Sequence, residues 1–170
     1  MKMKKKRPHH DKPKLRGHVF AVRLLTDTFV CAWVRAASPR GLLQVFVCKT
    51  IFNEMPDLKQ VAKNFKKANC MSMFLRTAQK DWDRWTDLGT FKPNKPWKIP
   101  TTVGFQFADK QPRVLKFSES LAIIGKKLAS KKQAKEFPEF VVMDLDQVAK
   151  FATLHFDDEF PEELGMRYAF

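Results

Sequence analysis

The three cysteines, Cys31, Cys48 and Cys70, are the natural candidates for nucleophilic chemistry. A thiol attacks as the thiolate, so it needs a neighbour that lowers its pKa, and histidine is the usual one. The four histidines are His9, His10, His18 and His155. Cys–His partners meet in space rather than along the chain, so sequence alone leaves that pairing open. Each cysteine sits in an apolar stretch, however, which points to buried, reduced thiols. An odd count with wide spacing is a poor disulfide framework, and no CxxC pair is present for zinc. His9 and His10 are adjacent but lack a third ligand nearby, so no metal site is expected. Asp157, Asp158 and Glu159 could meet a hard cation, but they lack the spacing of a calcium loop. There is no GxSxG, HExxH or phosphate-binding loop. The expectation is a protein without a catalytic constellation, metal or cofactor.

The chemistry that remains is charge. The net charge is +14, from 32 Lys and Arg against 18 Asp and Glu. It is unevenly placed: residues 136–170 carry −7 and residues 1–135 carry +21. Such asymmetry suits either packing between the two parts or two surfaces for two partners. On the basic side stand Lys63, Lys66 and Lys67, then Arg84, Lys95 and Lys98, then Lys126 and Lys127. Trp82, Trp85 and Trp97 lie among these residues and could stack bases, while the lysines would contact phosphates. The same lysines also fit a solvated helix face, and no known nucleic-acid fold motif is visible. On the acidic side is "DDEFPEE": Asp157, Asp158, Glu159, Phe160, Glu162 and Glu163. This stretch could enter a basic site on a partner as a phosphate mimic, with Phe160 as an apolar anchor.

The elements that must position these groups read mainly as strands. Residues 1–16 hold eight Lys and Arg and few apolar groups, so they read as a flexible basic arm. No apolar run follows the arm, so it does not read as a secretory signal. No run reaches the roughly 18 residues of a membrane span, and a cytoplasmic protein is expected. Residues 17–25 and 28–36 alternate, with Phe20, Val22 and Leu24 on the face most economically assigned to core. "TDT" at 26–28 and "SPRG" at 38–41 are turn signals, and "LLQVFVCKT" is a third strand. "PDLKQVAKNFKKA" at 56–68 reads as an amphipathic helix opened by proline, with Leu58, Val61, Ala62 and Phe65 inward. "CMSMFLRTAQ" fits a strand or an edge run. A strand centred near 84–88, a proline-rich loop at 92–100 and a hairpin over 101–117 follow. Residues 118–137 read as a helix with Leu121, Ile124 and Leu128 on one face. A short strand at Phe140–Met143 leads to a helix capped by Asp144 and carrying Val148, Phe151 and Leu154. The fold class is α+β: a strongly bent, mainly antiparallel sheet packed by two or three helices. One domain is expected over 17–170, β-rich over 17–117 with a helical C-terminal extension over 118–170.

The segments "GHVFAVRLLTDTFVCAWVRAASPRGLLQVFVCKT", "MPDLKQV", "WDRWTDLGTF" and "KIPTTVGFQF" resemble the immunity protein 26 family of bacterial polymorphic toxin systems. The likeness covers about residues 17–117. It lies in the Gly-led Phe strand, the aromatic second strand, Trp85 followed by Leu88-Gly89, and Pro100 before Phe105. It implies a non-catalytic protein that binds and neutralises a cognate toxin. The chain departs from the pattern in lacking an Asp-Gly or Asn-Gly turn between its first two strands. It also adds the basic arm and about fifty C-terminal residues. The alternative reading is a basic nucleic-acid-binding protein.

Overall fold

The computed structural model describes residues 12–77, 81–95, 97, 101–106, 111–136 and 142–156. The two alternating runs at the start become strands β1 (His18–Arg23) and β2 (Phe29–Ala37). They pair antiparallel, with Val19 opposite Trp33 and Ala21 opposite Cys31. Their connection turns at Asp27, whose φ of 61° is a left-handed conformation that Asp tolerates better than most residues. The "SPRG" turn closes as expected: Gly41 has φ 87°, and its N–H donates to the Ser38 carbonyl at 3.1 Å. Strand β3 (Leu42–Cys48) follows and pairs with β2.

Helix α1 (Leu58–Asn64) starts at a capping box. The Asp57 carboxylate accepts from the Gln60 N–H, and the Gln60 side chain accepts from the Asp57 N–H. The helix is shorter than the periodicity predicts and gives way to a 3-10 turn at Lys67–Asn69. The ambiguous "CMSMFLR" is strand β4 (Cys70–Arg76), paired antiparallel with β3 along its whole length. Strand β5 (Trp85–Thr90) returns to the opposite edge and pairs with β1. Strands β6 (Thr102–Gln106) and β7 (Pro112–Phe117) form the expected hairpin.

Two expectations are corrected here. Residues 118–137 do not form one helix: they give strand β8 (Ile123–Leu128) and then a single short helix, α2 (Lys131–Lys135). Leu121 sits at φ 59°, which ends any helical start, and the β-branched pair Ile123-Ile124 followed by Gly125 suits an extended chain. Lys126 and Lys127 therefore stand on a strand and not on a helix. The basic arm is also ordered at its end. Lys12–Leu15 is a 3-10 turn, and Leu15 is buried in the core because it is the one large apolar group there. Strand β9 (Val142–Asp144) and helix α3 (Leu145–Phe156) stand where the last predicted pair does, with positions 140 and 141 of the expected strand outside the described residues.

The main sheet has the order β5-β1-β2-β3-β4-β9, and β6-β7-β8 form a second, antiparallel sheet. Among the described strands only β9 pairs in parallel, beside β4. Bulges at Val19/Phe20 and Val34/Ala36 interrupt the register, and such bulges increase local bend and twist. The main sheet is covered on both faces, which is why its central strands β1, β2 and β3 are mostly apolar and buried rather than half polar. On one face Phe20, Val22, Val30, Val45 and Leu75 pack against Leu145, Val148 and Ala152 of α3. On the other, Val19, Cys31, Trp33, Phe46 and Cys48 pack under Val61 and Phe65 of α1. The second sheet joins through Val103, Leu115 and Phe117, which pack with Ala36 and Phe74 of the main sheet. Among the described residues, no helix is long and apolar enough to cross a membrane.

Candidate binding cleft

The α1 side of the main sheet carries the site. Val61 and Phe65 turn inward at helical spacing and close over the sheet. The chain leaving β5 then passes beside α1 and lays Phe91 and Trp97 against the same cluster. The Trp97 ring stacks on Phe65 at 5.7 Å and 14°. It also meets Phe46 edge-on at 4.8 Å and Trp33 edge-on at 5.3 Å. Rings meeting edge-to-face gain roughly 0.5–1.5 kcal/mol per pair beyond burial. Two edge-on rings, Phe46 and Trp33, and the stacked Phe65 ring hold Trp97 of the β5–β6 loop in place. Trp33 Nε1 is buried and has no acceptor among the described residues.

Between α1 and this loop lies a cleft of about 670 Å³, within the roughly 300–1,000 Å³ usual for ligand sites. Its floor is Leu58, Ala62, Phe65, Phe91 and Trp97. Its rim is cationic: Lys59, Lys66 and Lys67 from the α1 side, Lys92 and Lys95 from the loop. Thr90, Pro93 and Asn94 line it too, and no acid is among the described lining residues. Asp57, which caps the start of α1, stands outside the lining.

Beneath the cleft the thiols form a cluster that sequence reasoning missed. Cys48 and Cys70 are directly opposite on β3 and β4. Cys48 Sγ lies 3.5 Å from Thr50 Oγ1 and 3.6 Å from the Asn64 carbonyl oxygen, and Asn69 Nδ2 donates to it at 3.6 Å. The hydrogen bond from Cys70, aided by Thr50 and Asn69 and opposed by burial, brings the Cys48 pKa down to about 6. Cys70 is pushed up, first by that same bond and then by burial. Cys31 is pushed up to about 12 by burial and by the charge of Cys48. All three are free thiols. Cys48 is 1% exposed, so its thiolate character is screened from solvent. Among the described residues, no group of three or more His, Cys, Asp or Glu is placed to hold a metal ion.

The residues predicted from sequence are scattered. Lys66, Lys67, Lys95 and Trp97 line the cleft. Lys63 is exposed in the last turn of α1, outside the lining. Arg84 is on the α3 side of the sheet, where its Nη1 donates to the Leu24 carbonyl at 3.4 Å. Lys126 and Lys127 are on β8 of the second sheet. Lys98 and the acidic set Asp157, Asp158, Glu159, Phe160, Glu162 and Glu163 lie outside the described residues. The three tryptophans do not form one stacking platform. Trp82 and Trp85 meet each other at 5.8 Å against Phe20 on the α3 face, with Trp85 Nε1 donating to the Leu145 carbonyl at 3.1 Å. Trp97 is on the opposite face. Lys59 and Lys92 were not singled out. The seven-residue step from Lys59 to Lys66, two helical turns, was the signal available for the first of them. No family model, curated protein or solved structure matches the chain.

Proposed function

We propose that this chain is a non-catalytic binding protein of the immunity type, which captures a cognate bacterial toxin and neutralises it. The observation that carries the binding reading is the lysine-rimmed cleft with an apolar floor. An apolar centre inside a charged rim is the anatomy of a protein-recognition site. The toxin as partner comes from the strand motifs. Three of the four resembling segments contribute β1, β2, β3, β5 and the cap and first turns of α1. They are the frame on which the cleft is built. The test is capture of the product of the neighbouring gene by the tagged chain, with a growth assay alongside. Complex formation and rescue from that product's toxicity are expected. Absence of a complex with a folded, toxic neighbour overturns the reading.

One observation favours a second reading, nucleic-acid binding: lysines also crowd β8 and α2, at Lys126, Lys127, Lys131, Lys132 and Lys135. Backbone-phosphate binding falls linearly in log affinity with log salt. Binding to random-sequence DNA with a steep salt slope would support it; no salt-sensitive binding removes it.

A further inference from the structure

We infer that the α1–loop cleft takes an acidic segment of a partner protein, with one apolar side chain seated on the cleft floor and flanking carboxylates on the lysine rim. The inference rests on the reading of this chain as a protein-binding inhibitor, and it names the surface and the chemistry of the segment bound. Two observations carry it. Among the described residues the rim has five lysines and no acid, so the charge it presents is of one sign. A cleft lined by one sign of charge over low-dielectric walls concentrates its field and steers the opposite charge inward. The floor is apolar, and α1 contributes to it Ala62, which is exposed and small. Exposed apolar floor is covered most favourably by an apolar side chain, at about 25 cal/mol per Å² removed from water.

A nucleic-acid strand fits this floor less well. Base binding needs an open ring face. Here Phe65 and Trp97 spend a face on each other, and Phe91 packs against Phe65 at 5.3 Å and edge-on to Trp33 at 5.9 Å. Among its described residues the rim also has no arginine, the side chain that stacks on bases and forks onto phosphates. A lysine rim answers carboxylates as point charges and asks for no planar geometry.

The test uses the full chain and fluorescence anisotropy. The probe is a short labelled peptide of glutamates flanking one central Phe; single-stranded oligo-dT of matched charge is the comparison. The peptide is expected to bind, and to bind more tightly than oligo-dT. Reversal of four rim residues (Lys59→Glu, Lys66→Glu, Lys92→Glu, Lys95→Glu) should weaken it about tenfold or more at low salt. Reversal of Lys131 and Lys132 on α2, outside the lining, should leave Kd within about twofold. Ala62→Trp keeps the net charge and fills the floor; it should weaken the peptide about as much as the rim reversal. Replacement of the peptide's Phe by Gly should cost about tenfold. Equal binding by wild type and Ala62→Trp overturns the proposal, and so does tighter oligo-dT binding through the same four lysines. The Ala62→Trp arm stands even where the fourfold reversal does not fold. Peptide binding without capture of the neighbouring toxin sinks the immunity reading and leaves the cleft. Toxin capture that is indifferent to Ala62→Trp does the reverse.

Discussion

Cys48 and Cys70 face each other between β3 and β4, and one of them surrenders its proton far more easily than the other. The asymmetry follows from donors. Thr50 and Asn69 surround Cys48, and Cys70 adds its own S–H, so a negative Sγ is solvated by the protein. Cys31 has no such company and is held protonated by burial. The expected outcome is a single thiolate in the folded protein, seen as ultraviolet thiolate absorbance that titrates with a midpoint near pH 6. Cys48→Ala should abolish that step, and a midpoint at the ordinary value of 9 would refute the assignment. Stability follows by linkage. Cys48 has a folded pKa below its unfolded one, so its contribution is complete above pH 9 and is lost as pH falls toward about 6. Cys31 is shifted the other way; its contribution is complete below pH 9 and is lost as pH rises toward about 12. Urea midpoints should therefore rise from pH 6 to 8 in wild type, and this rise should shrink in Cys48→Ala. Because Cys48 is 1% exposed, alkylation should be slow in native buffer despite the thiolate, and fast once α1 is loosened. The apolar runs around each cysteine correctly foretold burial. They could not foretell Asn69, which reaches Cys48 only after the chain has folded back through α1.

At the level of elements, the first three strands and the hairpin at 101–117 were readable because each strand pairs with a neighbour a few residues away in sequence. Ser38 and Gly41 close the second turn from their own local chemistry. Partners distant in sequence were less readable. Leu121, Ile124 and Leu128 have helical spacing, yet Ile124 and Leu128 are 61% and 63% exposed on β8, an outer strand. Periodicity records spacing and not which face is covered; here the covering comes from β7, and β-branching decided the outcome. The cleft was half readable for the same reason. Lys66, Lys67, Lys95 and Trp97 were visible as residues, but only the fold brings α1 and the β5–β6 loop side by side. Two substitutions probe how these elements are fixed. Asp57→Ala removes the carboxylate arm of the capping box and should cost about 1 kcal/mol in chemical denaturation. Peptide affinity should fall with it if α1 is the cleft wall. Gly104 lies against α2 so closely that an added Cβ would overlap the Ala134 backbone carbonyl. Gly104→Ala should therefore displace α2 from β6 and cost about 1–3 kcal/mol. Hydrogen exchange should speed up over 131–136 while the amides of β2 and β3 keep their protection; unchanged exchange at α2 would show that the close approach is relieved elsewhere.

For the whole molecule, the question is whether two sheets fold as one. The main sheet has two covered faces and two helices. The second sheet has one cluster, Val103, Leu115, Phe117 and Leu121, and it is shared with Ala36 and Phe74. Phe117 stacks on Phe74 at 5.6 Å and is 3% exposed, so among the described side chains it is the largest that the second sheet commits to the joint. Three strands with one exposed outer strand bury too little to persist alone. The second sheet should therefore borrow its stability from the first. The probes separate cleanly, because all four tryptophans (Trp33, Trp82, Trp85 and Trp97) belong to the main sheet and its coverings. Tryptophan fluorescence thus reports the main sheet, while far-ultraviolet circular dichroism reports both. In wild type the two urea transitions should coincide, as two-state unfolding requires. Phe117→Ala removes about 3–5 kcal/mol from the joint, a large share of the roughly 5–15 kcal/mol a domain holds. The dichroism should then begin to fall at lower urea than the fluorescence, with the cleft still able to bind the acidic peptide in the interval. Coincident transitions shifted together would mean that the joint is common core, and that the main sheet depends on the second as much as the reverse.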